Sequence, residues 1–459
     1  MHSARLIRIK VIHSFSLANE RGKIVALMPI ILGALITDMA LGSYSDLVAQ
    51  MAPNFRILLF FVIVGLLYGV GQYFVLRFAT RMIGPLGSHL FFKKLPSIVT
   101  IIQWTILCIL AAVTFQVISD SSYSMALLAT SVAVGAIPGS ILLGISGYQL
   151  FSWYRSDRKN IMILFLGLGS VFGSVSIAGN IIIVQVLLSE KPPIVSEHTE
   201  MDTRKFSSIP SVQMLFSTVY VLLSIVAYAV QWIGIALLLW QFSRKIGRVR
   251  YWIVVLLPAA TFIGTVLPSL LAPEISQYGF YSDHVLTLRT IVIISALAGA
   301  FVVGAAYLLI ARTLSSLGED KSQVAGYMTL AAFGIIIMHI AYLSPVYFPA
   351  YPPFGVAGHS FLAMGTFLYA IGYYSSAISV SKDIELRKSI RKYALQECRL
   401  VGSIGSAQME QELQKRVIAA VKRNPETEER EIGIEPSLLD DEIRNYLAQV
   451  MDELKKNSK

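Results

Sequence analysis

The sequence predicts an all-α fold: a polytopic transmembrane helix bundle of about ten spans with a cytoplasmic helical tail. Three observations lead there. The 459 residues are 55% hydrophobic and 14% charged, whereas an ordinary soluble domain carries about 25% charge. The apolar residues gather into long runs. The charges are segregated: residues 381–459 hold 15 of the 38 basic and 15 of the 28 acidic side chains. The tail is therefore neutral, and the net charge of +10 belongs to the first 380 residues. Charge placed this way is a membrane-orientation signal rather than a nucleic-acid footprint, so no nucleic-acid partner is expected.

A span needs about 20 mostly apolar residues. Runs that meet this are 24–43, 57–76, 98–118, 124–152, 161–188, 213–240, 251–271, 286–311, 323–345 and 356–380. In lipid such runs must be helical, because a lone helix satisfies its own backbone hydrogen bonds. The first lacks a small-residue cleavage site after it and reads as a retained helix rather than a signal peptide. Pro29, Pro138, Pro258 and Pro268 fall inside spans, where each removes a backbone hydrogen bond.

The segments between the runs alternate in charge. One set carries Arg5, Arg8, Lys10, Arg21 and Lys23, then Arg77, Arg81, Lys93 and Lys94, then Arg155, Arg158 and Lys159, then Arg244, Lys245, Arg248 and Arg250, then Arg312 and Lys321. The other set carries only Arg56, Lys191, Arg204 and Lys205. By the positive-inside rule the basic set is cytoplasmic, which places both termini and the tail inside and predicts a multi-pass protein of the cell membrane. Trp153, Trp240 and Trp252 then fall at inner span ends and Tyr44, Tyr123, Tyr342 and Tyr347 at outer ends, as interfacial belts do. The largest outer loop is Ser189–Ser211, and a second, Pro345–Gly355, is uncharged and rich in Pro, Tyr and Phe.

Small residues recur four apart at Gly65 and Gly69, Gly135 and Gly139, Gly169 and Gly173, and Ala300 and Gly304. This spacing lets helix backbones approach closely and is a packing signal.

The tail reads as two helices. From about Asp383 to Lys422, Leu386, Ile390, Tyr393, Leu400, Ile404, Ala407, Ile418 and Val421 form a rough heptad seam, which Glu397, Gln411 and Gln414 interrupt. Gly402 and Gly405 are candidate hinges, each costing about 1 kcal/mol in a helix. The charged stretch Asn424–Gly433 reads as a linker. A second helix from Ser437 has Leu439, Ile443, Tyr446, Leu447, Val450 and Leu454 on one face. That face must be buried against something: the first tail helix, a second protomer, a cytoplasmic partner or the membrane surface.

The segment ELRKSIRKYALQECRLVGSIGSAQMEQELQKRV resembles the tails of a group of uncharacterised polytopic membrane proteins of ammonia-oxidising archaea. In these a similar LRxSIR…LxxSIGxAQMEQE pattern follows the last span. The resemblance is confined to the tail. It implies an archaeal cell-membrane protein and brings no assigned chemistry or substrate.

Catalytic signatures are missing from the sequence. It has no G-x-x-x-x-G-K-[ST], H-E-x-x-H, C-x-x-C or G-x-S-x-G, and its two cysteines, Cys108 and Cys398, fall in different environments. No cofactor or metal is expected. The last histidine is His359, which excludes a phospho-accepting histidine in the tail. Asp38 is the only carboxylate well inside a span, too few for an intramembrane aspartyl protease.

The ionisable residues within spans are Asp38, Arg289, His339 and His359, on the first, eighth, ninth and tenth runs. At 1.5 Å per residue all four lie roughly 5–9 Å beneath the outer boundary. Buried membrane charges pair or line a wet cavity. One expectation is thus an outward-facing polar pocket in which Asp38 and Arg289 compensate each other; the other is that each side chain reaches the interface separately. For function, the long tail after the last span points to a receptor-like or signal-transducing protein. Two alternatives stay open. Ten spans divide into five and five around Ser189–Ser211, the inverted arrangement of many transporters. The lack of catalytic motifs also suits an accessory subunit of a membrane complex.

Overall fold

The structure, a computed structural model, describes residues 28–42, 54–83, 90–120, 122–156, 160–189, 211–271, 285–316, 322–343, 355–384, 386–387 and 398–432. Twelve helices are numbered here: α1 Met28–Gly42, α2 Asn54–Ile83, α3 Leu90–Asp120, α4 Met125–Ser156, α5 Ile161–Ser189, α6 Ser211–Trp240, α7 Arg248–Leu271, α8 Val285–Ser315, α9 Ser322–Leu343, α10 Val356–Ser360, α11 Leu362–Lys382 and α12 Arg399–Ile432. Nearly all described residues of the ten expected spans fall on helices; 24–27, 43 and 344–345 lie outside the described residues. Among the described residues, eight helices are long and apolar enough to cross a membrane, with the described part of α1 shorter. This is the organisation of a membrane-embedded helical protein.

The bundle has a centre and a rim. In the most apolar stretch of α9, 94% of residues are buried, and in that of α10–α11, 89%, against 33–44% in the other six spans. The rim helices turn large apolar side chains outward, such as Leu66, Ile101, Phe115, Ile141 and Leu257. An aqueous protein could not expose so many, whereas lipid tails cover them without cost.

Glycine makes the central crossing possible. A Cβ on Gly372 of α11 would lie 2.5 Å from the Tyr327 carbonyl oxygen and 2.6 Å from the Ala331 nitrogen on α9. One on Gly365 would lie 2.7 Å from the Met338 nitrogen. Here backbone meets backbone, so no side chain can move aside. Of the four small-residue pairs in the sequence, three mark close crossings: Gly135 and Gly139 against α10–α11, Gly169 against Gln231 of α6, and Gly304 against Ile336 of α9. Gly65 meets nothing within 4 Å.

Direction along the bundle follows from the contacts. Tyr327, near the start of α9, donates to the Met82 carbonyl at the end of α2. Near the other end of α9, Ala341 accepts from His359. The exposed Arg81, Arg155 and Lys382 lie in the last turns of α2, α4 and α11, and Lys245 just beyond α6, whereas Asp38 binds the start of α10–α11.

The tail differs from its sequence reading in three respects. The last span does not run straight into it: Asp383 is extended (φ −103°, ψ 106°) and ends α11. Its Oδ1 accepts the Leu386 amide at 2.8 Å, starting a new turn. Gly402 and Gly405 do not hinge, because α12 is continuous through both. Gly405 instead lets α12 approach the Val380 side chain of α11. The stretch from Asn424 to Ile432, read as a linker, is helical despite Pro425; the glutamates after it are good helix formers.

Candidate functional site

Two polar constellations occupy opposite ends of α10–α11. The first surrounds α10, a single helical turn entered through Gly355 at φ +80°, a conformation that side chains with a Cβ rarely adopt. Four helices grip this turn. From α1, Asp38 Oδ2 accepts the amides of Gly358 at 2.7 Å and Gly355 at 3.2 Å. From α3, Gln103 Nε2 donates to the Ser360 carbonyl at 3.2 Å. From α4, Gly135 leaves room for Ser360, whose Cα would lie 3.2 Å from a Cβ there. On α9, Ala341 accepts from His359 Nδ1 at 3.1 Å, which leaves Nε2 as the unprotonated nitrogen of a neutral ring.

Asp38 and His359 are both 0% exposed, so neither reaches the membrane interface on its own. The structure brings these two expected site residues together through one turn of backbone. His339 is half-buried, and its Nδ1 donates to Ile335 of its own helix at 2.8 Å. The side chain of Arg289 lies outside the described residues, as do the loops 190–210 and 345–354.

Sequence reading missed Tyr68 and Gln72 on α2. Tyr68 is 1% exposed, lies within electrostatic reach of Asp38, and has its ring 4.6 Å from that of Phe361. Gln72, one turn further along, is also 1% exposed. Tyrosine and glutamine inside an apolar run carry no formal charge, so only their joint recurrence at i and i+4 could have flagged them.

The second constellation seats α12 against α4 and α11. Cys398, Leu400, Val401, Ile404 and Ala407 are buried. Among them, polar side chains cross the interface. Trp153 Nε1 donates to Gln408 Oε1 at 3.0 Å, and Gln149 Nε2 approaches the same oxygen at 3.5 Å. Asn160 Nδ2 donates to Ser403 Oγ at 3.0 Å, and Gln411 Nε2 to Ser152 Oγ at 2.7 Å. Gln411, read as an interruption of the apolar seam, is thus part of the contact. Trp153, expected in an interfacial belt, is 1% exposed and faces the tail; Trp240 and Trp252 are half exposed. Arg387 donates to the carbonyls of Val380 and Ser381 in the last turn of α11. The second tail face, Leu439, Ile443, Tyr446, Leu447, Val450 and Leu454, lies outside the described residues.

Among the described residues, no group of three or more His, Cys, Asp or Glu side chains is placed to hold a metal ion. No protein-family model, curated protein or solved structure matches the chain.

Proposed function

We propose that this is a receptor-like, signal-transducing multi-pass protein of the cell membrane, with both termini cytoplasmic. In this reading, events at the Asp38 end of the bundle alter the seating of the tail helix α12. One observation carries it: α12 is held on the bundle by specific side-chain hydrogen bonds around Gln408, at the far end of the same helical unit whose start Asp38 holds. An α11 extending straight into the tail would fix the two rigidly. The polar part of the seat is a few hydrogen bonds, each worth about 1 kcal/mol net, so loss of one shifts the seated fraction. The distinctive SIGSAQMEQE wording of the tail then has a physical role, since Ser403, Ile404, Gly405, Ala407, Gln408 and Gln411 all meet the bundle. Lipid is the surrounding partner; a second protomer or a cytoplasmic protein would compete for the released tail.

Cys398 supplies the test, because its thiol is buried in the seat. With Cys108 replaced by Ser, maleimide labelling of Cys398 in inverted membrane vesicles reads the unseated fraction. Gln408→Ala should raise the labelling rate by about fivefold or more, the factor that 1 kcal/mol confers. Asp38→Asn, at the other end of α10–α11, should also change it. If Gln408→Ala raises the rate and Asp38→Asn leaves it unaltered, the two ends are uncoupled and the signalling reading fails.

A further inference from the structure

Five buried side-chain atoms near the Asp38 end have no hydrogen-bond partner among the described residues: Asp38 Oδ1, Tyr68 Oη, both polar atoms of the Gln72 amide, and His359 Nε2. Four of them belong to Asp38 on α1 and to Tyr68 and Gln72 on α2. The two helices meet at Gly71, where a Cβ would lie 2.6 Å from Ile31 Cγ1. From this level Asp38 lies seven residues toward the outer end along α1. Tyr68 lies three residues toward that end along α2, and Gln72 one residue the other way. At 1.5 Å per residue, Asp38 and Gln72 are separated by about 12 Å of depth, with Tyr68 between them. Asp38 itself lies about 8 Å below the outer end of its run, so the file reaches toward mid-membrane.

Orphaned polar groups in a membrane interior cost several kcal/mol each, and buried ones are nearly always bonded. One could be a strained exception, but four atoms on three side chains call for a common partner. Their chemistry is mixed: a carboxylate oxygen that accepts, a phenol that both donates and accepts, and an amide that does both through different atoms. No single rigid ligand is implied by such a set spread over about 12 Å, but hydrogen-bonded water, at about 2.8 Å per step, spans it with three or four molecules.

We infer that α1 and α2 enclose a file of ordered water running from Asp38 past Tyr68 to Gln72. The file solvates the one carboxylate buried among the described residues and leads from it toward mid-membrane. The inference is independent of the tail, and its test involves no tail contact.

Radiolytic hydroxyl-radical footprinting of the full chain in micelles decides it, because radicals formed from bound water label adjacent side chains even when they are buried. Tyr68 should be oxidised several-fold faster than Tyr307, an equally buried tyrosine whose hydroxyl accepts from Tyr373 at 2.8 Å. Gln72→Leu, which replaces the inner end of the file with an apolar group, should lower the Tyr68 rate while leaving Tyr307 unchanged. Equal rates for Tyr68 and Tyr307 in the unmodified protein would overturn the inference. So would a Tyr68 rate that Gln72→Leu and Asp38→Asn both leave unaffected.

Discussion

Asp38 and Arg387 hold opposite ends of one helical unit: Asp38 takes the amides of Gly355 and Gly358 at its start, and Arg387 covers the carbonyls of Val380 and Ser381 at its end. A negative group at a helix start and a positive one at its end both oppose the unpaired backbone charges there. The last span is thereby capped by side chains from outside itself.

Replacing Asp38 should show how that cap works. Asn retains a carbonyl oxygen for the two amides, whereas Ala leaves both donors stranded in a buried site. Stranding a buried donor costs about 1–3 kcal/mol. Asp38→Ala should therefore lower the melting temperature of the detergent-solubilised protein more than Asp38→Asn. Equal losses would mean that the amide bonds contribute little.

At the tail seat, Trp153→Phe keeps an aromatic ring but loses the indole N–H and some volume, while Gln408→Ala removes its acceptor. Each should destabilise the seat by about 1–2 kcal/mol, and the pair should be non-additive by about 1 kcal/mol, because they share one bond. Thiol labelling of Cys398 across the double-mutant cycle measures this coupling. Fully additive effects would show that the two residues act separately.

Glycine at the central crossing should tolerate nothing larger. Gly372→Ala forces a methyl group against the Tyr327 carbonyl and the Ala331 amide, an overpacking cost of about 1–3 kcal/mol or more. Gly65→Ala meets open space and should be neutral or slightly stabilising, since alanine favours helix. Unfolding in a denaturing detergent series separates the two. A Gly372→Ala protein as stable as the parent would mean that α9 and α11 are further apart than described.

Orientation is testable by surface labelling. In a background without Cys108 and Cys398, single cysteines at Arg158 and Arg248 should resist an impermeant thiol reagent in intact cells, and one at Ser196 should react. Labelling of Arg158→Cys from outside would invert the topology.

The sequence shows its class and helices plainly, because length and apolarity are local properties and lipid enforces helix on any run that has both. The close crossings at Gly135, Gly169 and Gly304 are legible for the same reason. Gly334, Gly365 and Gly372 are not, because their partners sit on another helix and their own spacing lacks the four-residue repeat. Gln411 looks like a flaw in an apolar seam, and Gln408 carries no signal of its own, until Ser152 and Trp153, over 250 residues earlier, appear opposite them. Gly402 and Gly405 follow the same logic: local propensity suggests a hinge, and packing against α4 and α11 overrides it. Asp38 is conspicuous in sequence as a lone buried acid, but its described partners are backbone amides, which no residue pattern encodes.

The burial of α11 on nearly all sides also bears on how the chain is made. Thr366, Ser375, Ser376 and Ser381 are buried along this helix, and its span is the least apolar of the eight. Alone in lipid, such a segment inserts poorly, since hydroxyls and close-set glycines gain little there. It also leaves the ribosome after α2, α3, α4 and α9, the helices it packs against. Its entry is therefore an act of assembly: the earlier helices form the slot, and α11 fills it.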